Sequence, residues 1–248
     1  MQLWISAFAR VLVGGIVFFV ASAALAIPLS VDISIDDTYV TTIDEVRLGC
    51  VDQGDGVSAI CNASDLEYGL NEEYNQMSLG VTDLLIDIDP TVSGNITISN
   101  IDVVSHRFTL AFSLPITAIP GATLQGGAIS GTLTDGLGDG ATVSAPSGES
   151  IYTALIDAVA LHFLLSDPHS DSTFTSGPVT LADFGTPIPS LLGGPANASI
   201  GIILDFELTP FDTVSFNSEF TVEPVPEPAT GALLALGLVA LAGRRSRR

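Results

Sequence analysis

The chain is predicted to be all-β: an antiparallel β-sandwich or jelly roll in a single domain, flanked by an N-terminal signal peptide and a single C-terminal transmembrane helix. Two observations carry the β assignment. Apolar and polar residues alternate in many short runs, the pattern of strands with one buried face and one wet face. The runs are separated by stretches rich in Gly, Pro, Asp and Ser, and the chain holds 24 Gly and 14 Pro, the residues that supply turn conformations. A third observation bounds the domain. Each end carries its own apolar segment beside arginine, which leaves residues 27–222 as the body, enough chain for one good core.

At the front, Arg10 precedes the apolar run Val11 to Val20, and Ala24-Leu25-Ala26 supplies an A-x-A cleavage site. This is the pattern of a secretory signal peptide over residues 1–26, cut before Ile27 by way of Ala24 and Ala26. The Sec export machinery is the partner it implies, and an uncleaved anchor is the other reading.

The body then runs strand by strand. Val31, Ile33 and Ile35 alternate with Asp32, Ser34 and Asp36, and Tyr39 to Leu48 is a second candidate strand. Residues 62–76 are polar and predict an irregular excursion, with regular structure resuming at Met77. Leu84, Ile86 and Ile88 alternate with aspartates, and Ile96, Ile98 and Ile101 alternate beyond Pro90 and Gly94. Arg107 to Leu114 places Phe108, Leu110, Phe112 and Leu114 on one face. Thr123 to Thr134, Ala141 to Ala145, Ser199 to Leu208 and Val214 to Val222 add more strands. The almost continuously apolar stretch Ile151 to Leu165 fits a helix stripe and a strand face equally. Its β surroundings favour a central buried strand, broken near Asp157. Residues 166–197, with five prolines, read as loop.

Cys50 and Cys61 are the only cysteines. In an oxidising compartment this spacing predicts one disulfide, worth about 3 kcal/mol in the chain-entropy picture. Within that loop, Asp52-Gln53-Gly54-Asp55-Gly56 could wrap a hard cation with oxygens, as could Asp135 and Asp139 in Asp135-Gly136-Leu137-Gly138-Asp139-Gly140. Calcium is the cation such loops would take, and a plain tight turn explains the same residues. In Asp167-Pro168-His169-Ser170-Asp171, the residues Asp167, His169 and Asp171 could reach one metal from an extended loop, and a polar surface loop accounts for them as well. His162 sits in an apolar run and reads as an interior or rim residue.

Absences narrow the chemistry. There is no lysine, which rules out Schiff-base chemistry and a Walker-type phosphate loop. No Gly-x-Ser-x-Gly elbow occurs. Of 28 acids, two (Glu223 and Glu227) lie in the tail, leaving 26 in the body against Arg47 and Arg107 alone. Such a body repels a phosphate backbone, so nucleic acid is not expected as a partner. Cations and neutral glycans remain, while the acidity also serves solubility.

The last residues hold three devices in succession. Pro224, Pro226 and Pro228 alternate and predict an extended spacer. Ala229 to Gly243 is an uncharged apolar run, roughly 22 Å as a helix and therefore short for a ~30 Å hydrocarbon core. Arg244, Arg245, Arg247 and Arg248 then form a basic stop on the cytoplasmic side. Val225-Pro226-Glu227-Pro228, the apolar run and the arginine cluster together resemble the PEP-CTERM sorting signal of bacterial envelope proteins, over residues 223–248. The resemblance implies Pro226, Glu227 and Pro228 as the sorting motif, an exosortase-type membrane enzyme as processing partner, and a Gram-negative host. It also implies transient residence in the inner membrane, followed by release or attachment at the cell surface or matrix. Family members often accompany exopolysaccharide and biofilm genes.

Three functions are weighed on this footing. The first is a non-catalytic, cofactor-free surface or matrix protein, associated with exopolysaccharide. The second is a carbohydrate- or calcium-binding β-sandwich. It would need exposed aromatics drawn from Tyr39, Tyr68, Tyr74 and Tyr152, since Trp4 leaves with the signal peptide. The third is a secreted hydrolase, which would need a cleft holding His162 or His169 against a carboxylate.

Overall fold

A computed structural model describes residues 29–55, 57–70 and 75–226. Trp4, Ala24, Ala26, Tyr74, Glu227, Pro228, Arg244, Arg245, Arg247 and Arg248 lie outside the described residues, as do the expected signal peptide and transmembrane segment.

Sixteen strands make up the described fold. In chain order they are β1 (Ser30–Ile35), β2 (Thr38–Asp44), β3 (Cys50–Asp52), β4 (Ser58–Tyr68), β5 (Met77–Asp87), β6 (Thr91–Asn100), β7 (His106–Pro115) and β8 (Thr123–Thr134). They continue as β9 (Ala141–Ser144), β10 (Ser150–Ile156), β11 (Val159–Ser166), β12 (Ser170–Thr173), β13 (Ser176–Phe184), β14 (Leu191–Gly193), β15 (Ser199–Leu208) and β16 (Thr213–Pro224). The first sheet runs β11-β10-β15-β7-β1-β2, with β9 also on β15 and β12 on β9. The second runs β13-β8-β16-β6-β5-β4-β3, with β14 also on β8. Every pairing between these strands is antiparallel.

The two sheets face each other across one hydrophobic core, a sandwich-like arrangement that follows from the period-2 pattern. Val31, Ile33 and Ile35 of β1, the four alternate apolar residues of β7, and Ile200, Ile202, Leu204, Phe206 and Leu208 of β15 are all buried from the first sheet. Val214, Phe216, Phe220 and Val222 of β16 meet them from the second. Phe206 and Phe216 pack edge to face across the interior at 5.2 Å. The Tyr152 hydroxyl donates across it to the Glu219 carbonyl at 2.7 Å, which satisfies its one polar atom. The expected disulfide is present: Cys50 and Cys61 stand opposite each other in β3 and β4 and are bridged.

Several expectations are corrected. The second strand ends at Asp44, not Leu48, because the Asp44 carboxylate accepts the Arg47 N–H and turns the chain. Residues 62–68 are not irregular but continue β4. Two register shifts, with Asp65 at φ 55°, scramble the alternation that would have shown it. Residues 166–197 contain β12, β13 and β14 rather than loop alone. Ile101 falls just past the end of β6. The stretch Ile151 to Leu165 does break at Asp157, but it forms a hairpin. Asp157 and Ala158 take φ of 52° and 62° at its tip. Only its first arm, β10, is the central buried strand expected. Its second arm, β11, is an edge strand that leaves Val159 and Phe163 more than half exposed, at 58% and 55%.

Candidate functional site

The outer face of the second sheet is built by the residues that alternate with its core. In β6 these are Thr91, Ser93, Asn95, Thr97 and Ser99, and in β16 they are Thr213, Ser215, Asn217, Glu219 and Thr221, each opposite its counterpart. They pair as a ladder of neutral hydrogen bonds: Thr91 with Thr221 at 3.1 Å, Thr97 with Ser215 at 3.1 Å, and Ser99 with Thr213 at 2.7 Å. Asn95 Nδ2 donates to Asn217 Oδ1 at 3.3 Å, while Ser215 and Thr97 both donate to Asn95 Oδ1. On the other flank of β16, Ser130 and Ala128 of β8 lie opposite Asn217 and Glu219.

This face is hollowed into an open groove of about 420 Å³, lined by Thr82, Asp83, Asn95, Ser130, Asn217 and Glu219, among others. A bulge in β5 makes the hollow. The register slips between Thr82 and Leu85, and Asp83 turns out of the sheet at φ 50°, its N–H donating to the Asn62 side chain. Gly94 is required opposite the bulge, because a Cβ there would lie 2.5 Å from the Leu84 backbone. The groove offers amide and hydroxyl donors and acceptors with two carboxylates, and among the described residues no cation or aromatic ring lines it.

Most of the carboxylates singled out as metal candidates accept backbone N–H groups. Asp52 accepts the Gly54 N–H at 2.6 Å. Asp55 accepts the Ser58 hydroxyl at 2.5 Å and the N–H groups of Val57 and Ser58, which holds its carboxyl below the usual range. Asp135 accepts the N–H groups of Leu137, Gly138 and Gly140, and Asp139 is exposed. Asp167 accepts the Gly148 N–H. His169 Nε2 meets Asp171 at 3.0 Å, and Asp171 also accepts both the N–H and the hydroxyl of Thr180. Among the described residues, no three His, Cys, Asp or Glu side chains converge as a metal-ligand set.

The aromatic platform considered from the sequence is not formed by the described tyrosines. Tyr68 and Tyr152 are buried, Tyr68 beneath Arg47 with the guanidinium 5.6 Å from its ring, and Tyr39 alone is exposed. Burial raises the hydroxyl pKa of both enclosed rings. His162 is a rim residue, as expected. It stacks on Phe184 at 4.2 Å, its Nε2 meets Gln125 Oε1 at 2.9 Å, and burial lowers its pKa.

Two further polar assemblies are marked by no motif in the sequence. His106 sits between Asp36 and Asp102, and beside it Arg107 forks onto Asp205. Asp157 accepts the N–H groups of Asn197, Ala198 and Ser199. The positive-φ turns that hold Asp36, Asp37 and Asp157 carry the only local hint, an Asp where the chain must reverse.

The strand that floors the groove also leads to the tail. β16 pairs with β8 to its end at Pro224, opposite Thr123, and the Val225 N–H still donates to the Ala122 carbonyl at 3.1 Å. Pro226 follows, exposed. Beside this exit lies a second, more apolar groove of about 370 Å³, lined by Ile88, Pro90, Thr117, Ile119, Val222 and Pro224, among others.

A family model described as the PEP-CTERM protein-sorting motif matches residues 224–248. No family model matches the body. No curated protein matches the chain.

Proposed function

We propose that the chain is an exported bacterial protein delivered to the cell surface or matrix through its tail, where the β body acts without catalysis or a bound cofactor. The observation that carries this reading is the sorting motif over residues 224–248, joined directly to the last strand of the body. The motif implies processing by an exosortase-type enzyme and sorting to the surface. The engagement of the aspartates with backbone N–H groups supports a structural role for much of the body's acidity. In this reading the host is Gram-negative, residence in the inner membrane is transient, and the mature protein takes its place in a polysaccharide-rich matrix.

One experiment tests the sorting half. Pro226, Glu227 and Pro228 are replaced by alanine in a strain carrying the processing enzyme, and intact mass is read in membrane, surface and medium fractions. Loss of processing is expected. A mature mass that is unchanged by the substitution would refute the reading.

The outer groove of the second sheet favours a second reading, a glycan-binding module on the same exported body. Its neutral amides and hydroxyls fit a neutral polyol, and a body carrying 26 acids disfavours anionic polymers.

A further inference from the structure

We propose that the end of the sandwich at the root of the tail is a docking surface for the membrane enzyme that removes the tail, engaged together with the Pro226-Glu227-Pro228 triplet. This rests on the sorting reading above and adds a body surface to it.

Chain length compels the contact. β16 is hydrogen-bonded to β8 through Pro224, and Val225 is still tied to Ala122, so the matched motif begins inside folded sheet. Glu227 lies three residues beyond Pro224, within roughly 11 Å even when fully extended. Catalytic groups that close around the triplet therefore meet the end face of the body. The apolar run begins at Ala229, five residues beyond Pro224, which holds that end face within roughly 18 Å of the membrane segment.

The surface waiting there is preformed. The segment Thr117 to Ile119 is pinned by the Ile116 N–H on the Ala198 carbonyl at 2.9 Å and by reciprocal bonds between Ile119 and Ala196. The facing wall is pinned by the Val222 N–H on the Pro90 carbonyl at 2.9 Å. Between the walls lies the groove of about 370 Å³, with Ile88, Pro90, Ile119, Val222 and Pro224 supplying apolar surface. Asp89 and Glu223 on the rim repel anionic lipid headgroups, which disfavours the bilayer surface as the occupant.

The test uses the full-length chain in a host carrying the enzyme, with tail removal followed by pulse-chase and intact mass. Ala118→Arg and Thr117→Arg each place bulk in the groove from an exposed position. Each is expected to slow tail removal about tenfold, about 1.4 kcal/mol of docking, with an unchanged melting temperature. Inserting about eight Gly and Ser residues between Val225 and Pro226 adds roughly 16 Å of flexible reach and is expected to slow removal as well, since groove and triplet are uncoupled. Processing of both arginine variants at the wild-type rate would overturn the proposal. So would faster removal after the insertion, which would mean that the body merely obstructs the enzyme. A wild-type chain that keeps Arg248, or an alanine triplet processed normally, sinks the sorting reading itself and is distinguishable from either result.

Discussion

His106 Nδ1 lies 2.7 Å from Asp36 Oδ2, at the point where β7 begins beside the β1–β2 turn. Nε2 meets Asp102 at 3.0 Å on the other side, so both ring nitrogens can donate only when the ring is an imidazolium. Burial opposes that charge, but the hydrogen bonds the ring donates to Asp102 and Asp36 outweigh it and leave the pKa raised. Arg107, Asp37 and Asp205 are charged groups at the same corner, and Glu149 is close enough to act on Arg107.

A pH dependence follows. A raised folded pKa means that the native state holds the proton more tightly, so the stabilisation is complete below the ordinary histidine value of about 6.5. It is lost as pH rises through the folded pKa. Asp102, held low by its bond to His106, contributes only above the ordinary aspartate value and is lost as pH falls through its own pKa. The advantage in melting temperature of the wild type over His106→Asn should therefore shrink from pH 6 toward pH 8, while the lowered pKa of His162 acts the opposite way in both proteins alike. An advantage that stays constant over this range would show that the pairings do not govern it.

Arg107 forks onto Asp205, with Nε to Oδ1 at 2.8 Å and Nη2 to Oδ2 at 2.6 Å, and its remaining nitrogen reaches Asp37 at 2.7 Å. Asp205 is buried, and Thr109 is its further partner. Removing the guanidinium strands the carboxylate, so Arg107→Gln should cost about 3 kcal/mol by denaturant unfolding. Arg107→Lys should recover only part of this, because an ammonium cannot fork. Full recovery by lysine would argue against the bidentate geometry as the source of stability.

The Asp157 carboxylate pins residues 197–199 to the β10–β11 hairpin, and its pKa is lowered by the N–H groups of Asn197 and then Ala198. Asp157→Ala should speed hydrogen exchange at Ala198 and Ser199 while leaving the β6–β16 ladder protected. The wild type should show the same local loosening on acidification through that lowered pKa. Equal exchange in variant and wild type would count against the pinning role.

The polar groove can be tested by affinity electrophoresis through soluble neutral glucans such as dextran. Asn217→Ala should weaken retardation about fivefold, the loss of about one hydrogen bond, with only a small drop in melting temperature from the lost Asn95 contact. Gly94→Ala should abolish retardation and destabilise the fold, since it drives a methyl group into Leu84. A wild type that runs unretarded through every neutral polysaccharide tested would remove the glycan reading.

Much of the fold was legible because its signals are local. The buried faces of β1, β7 and β15 were readable from alternation, and the Cys50–Cys61 pair from spacing and compartment. Where alternation failed, an identifiable feature broke it. Two bulges hide β4, and the Asp157 turn folds one apolar run into a buried strand and an exposed edge.

By itself, the sequence determined the inward faces of the regularly alternating strands, which cysteines pair and where the sorting motif lies, because period, spacing and motif are properties of neighbouring residues. Only the tertiary structure decided what those strands stand beside. The groove joins Asn95 to Asn217, 122 residues away along the chain. The His106 latch joins Asp36 to Asp102, and the exit beside Pro224 is walled by segments from three parts of the sequence. Strand order and register create these contacts. They are selected by the packing energy of the whole core, which no local pattern records.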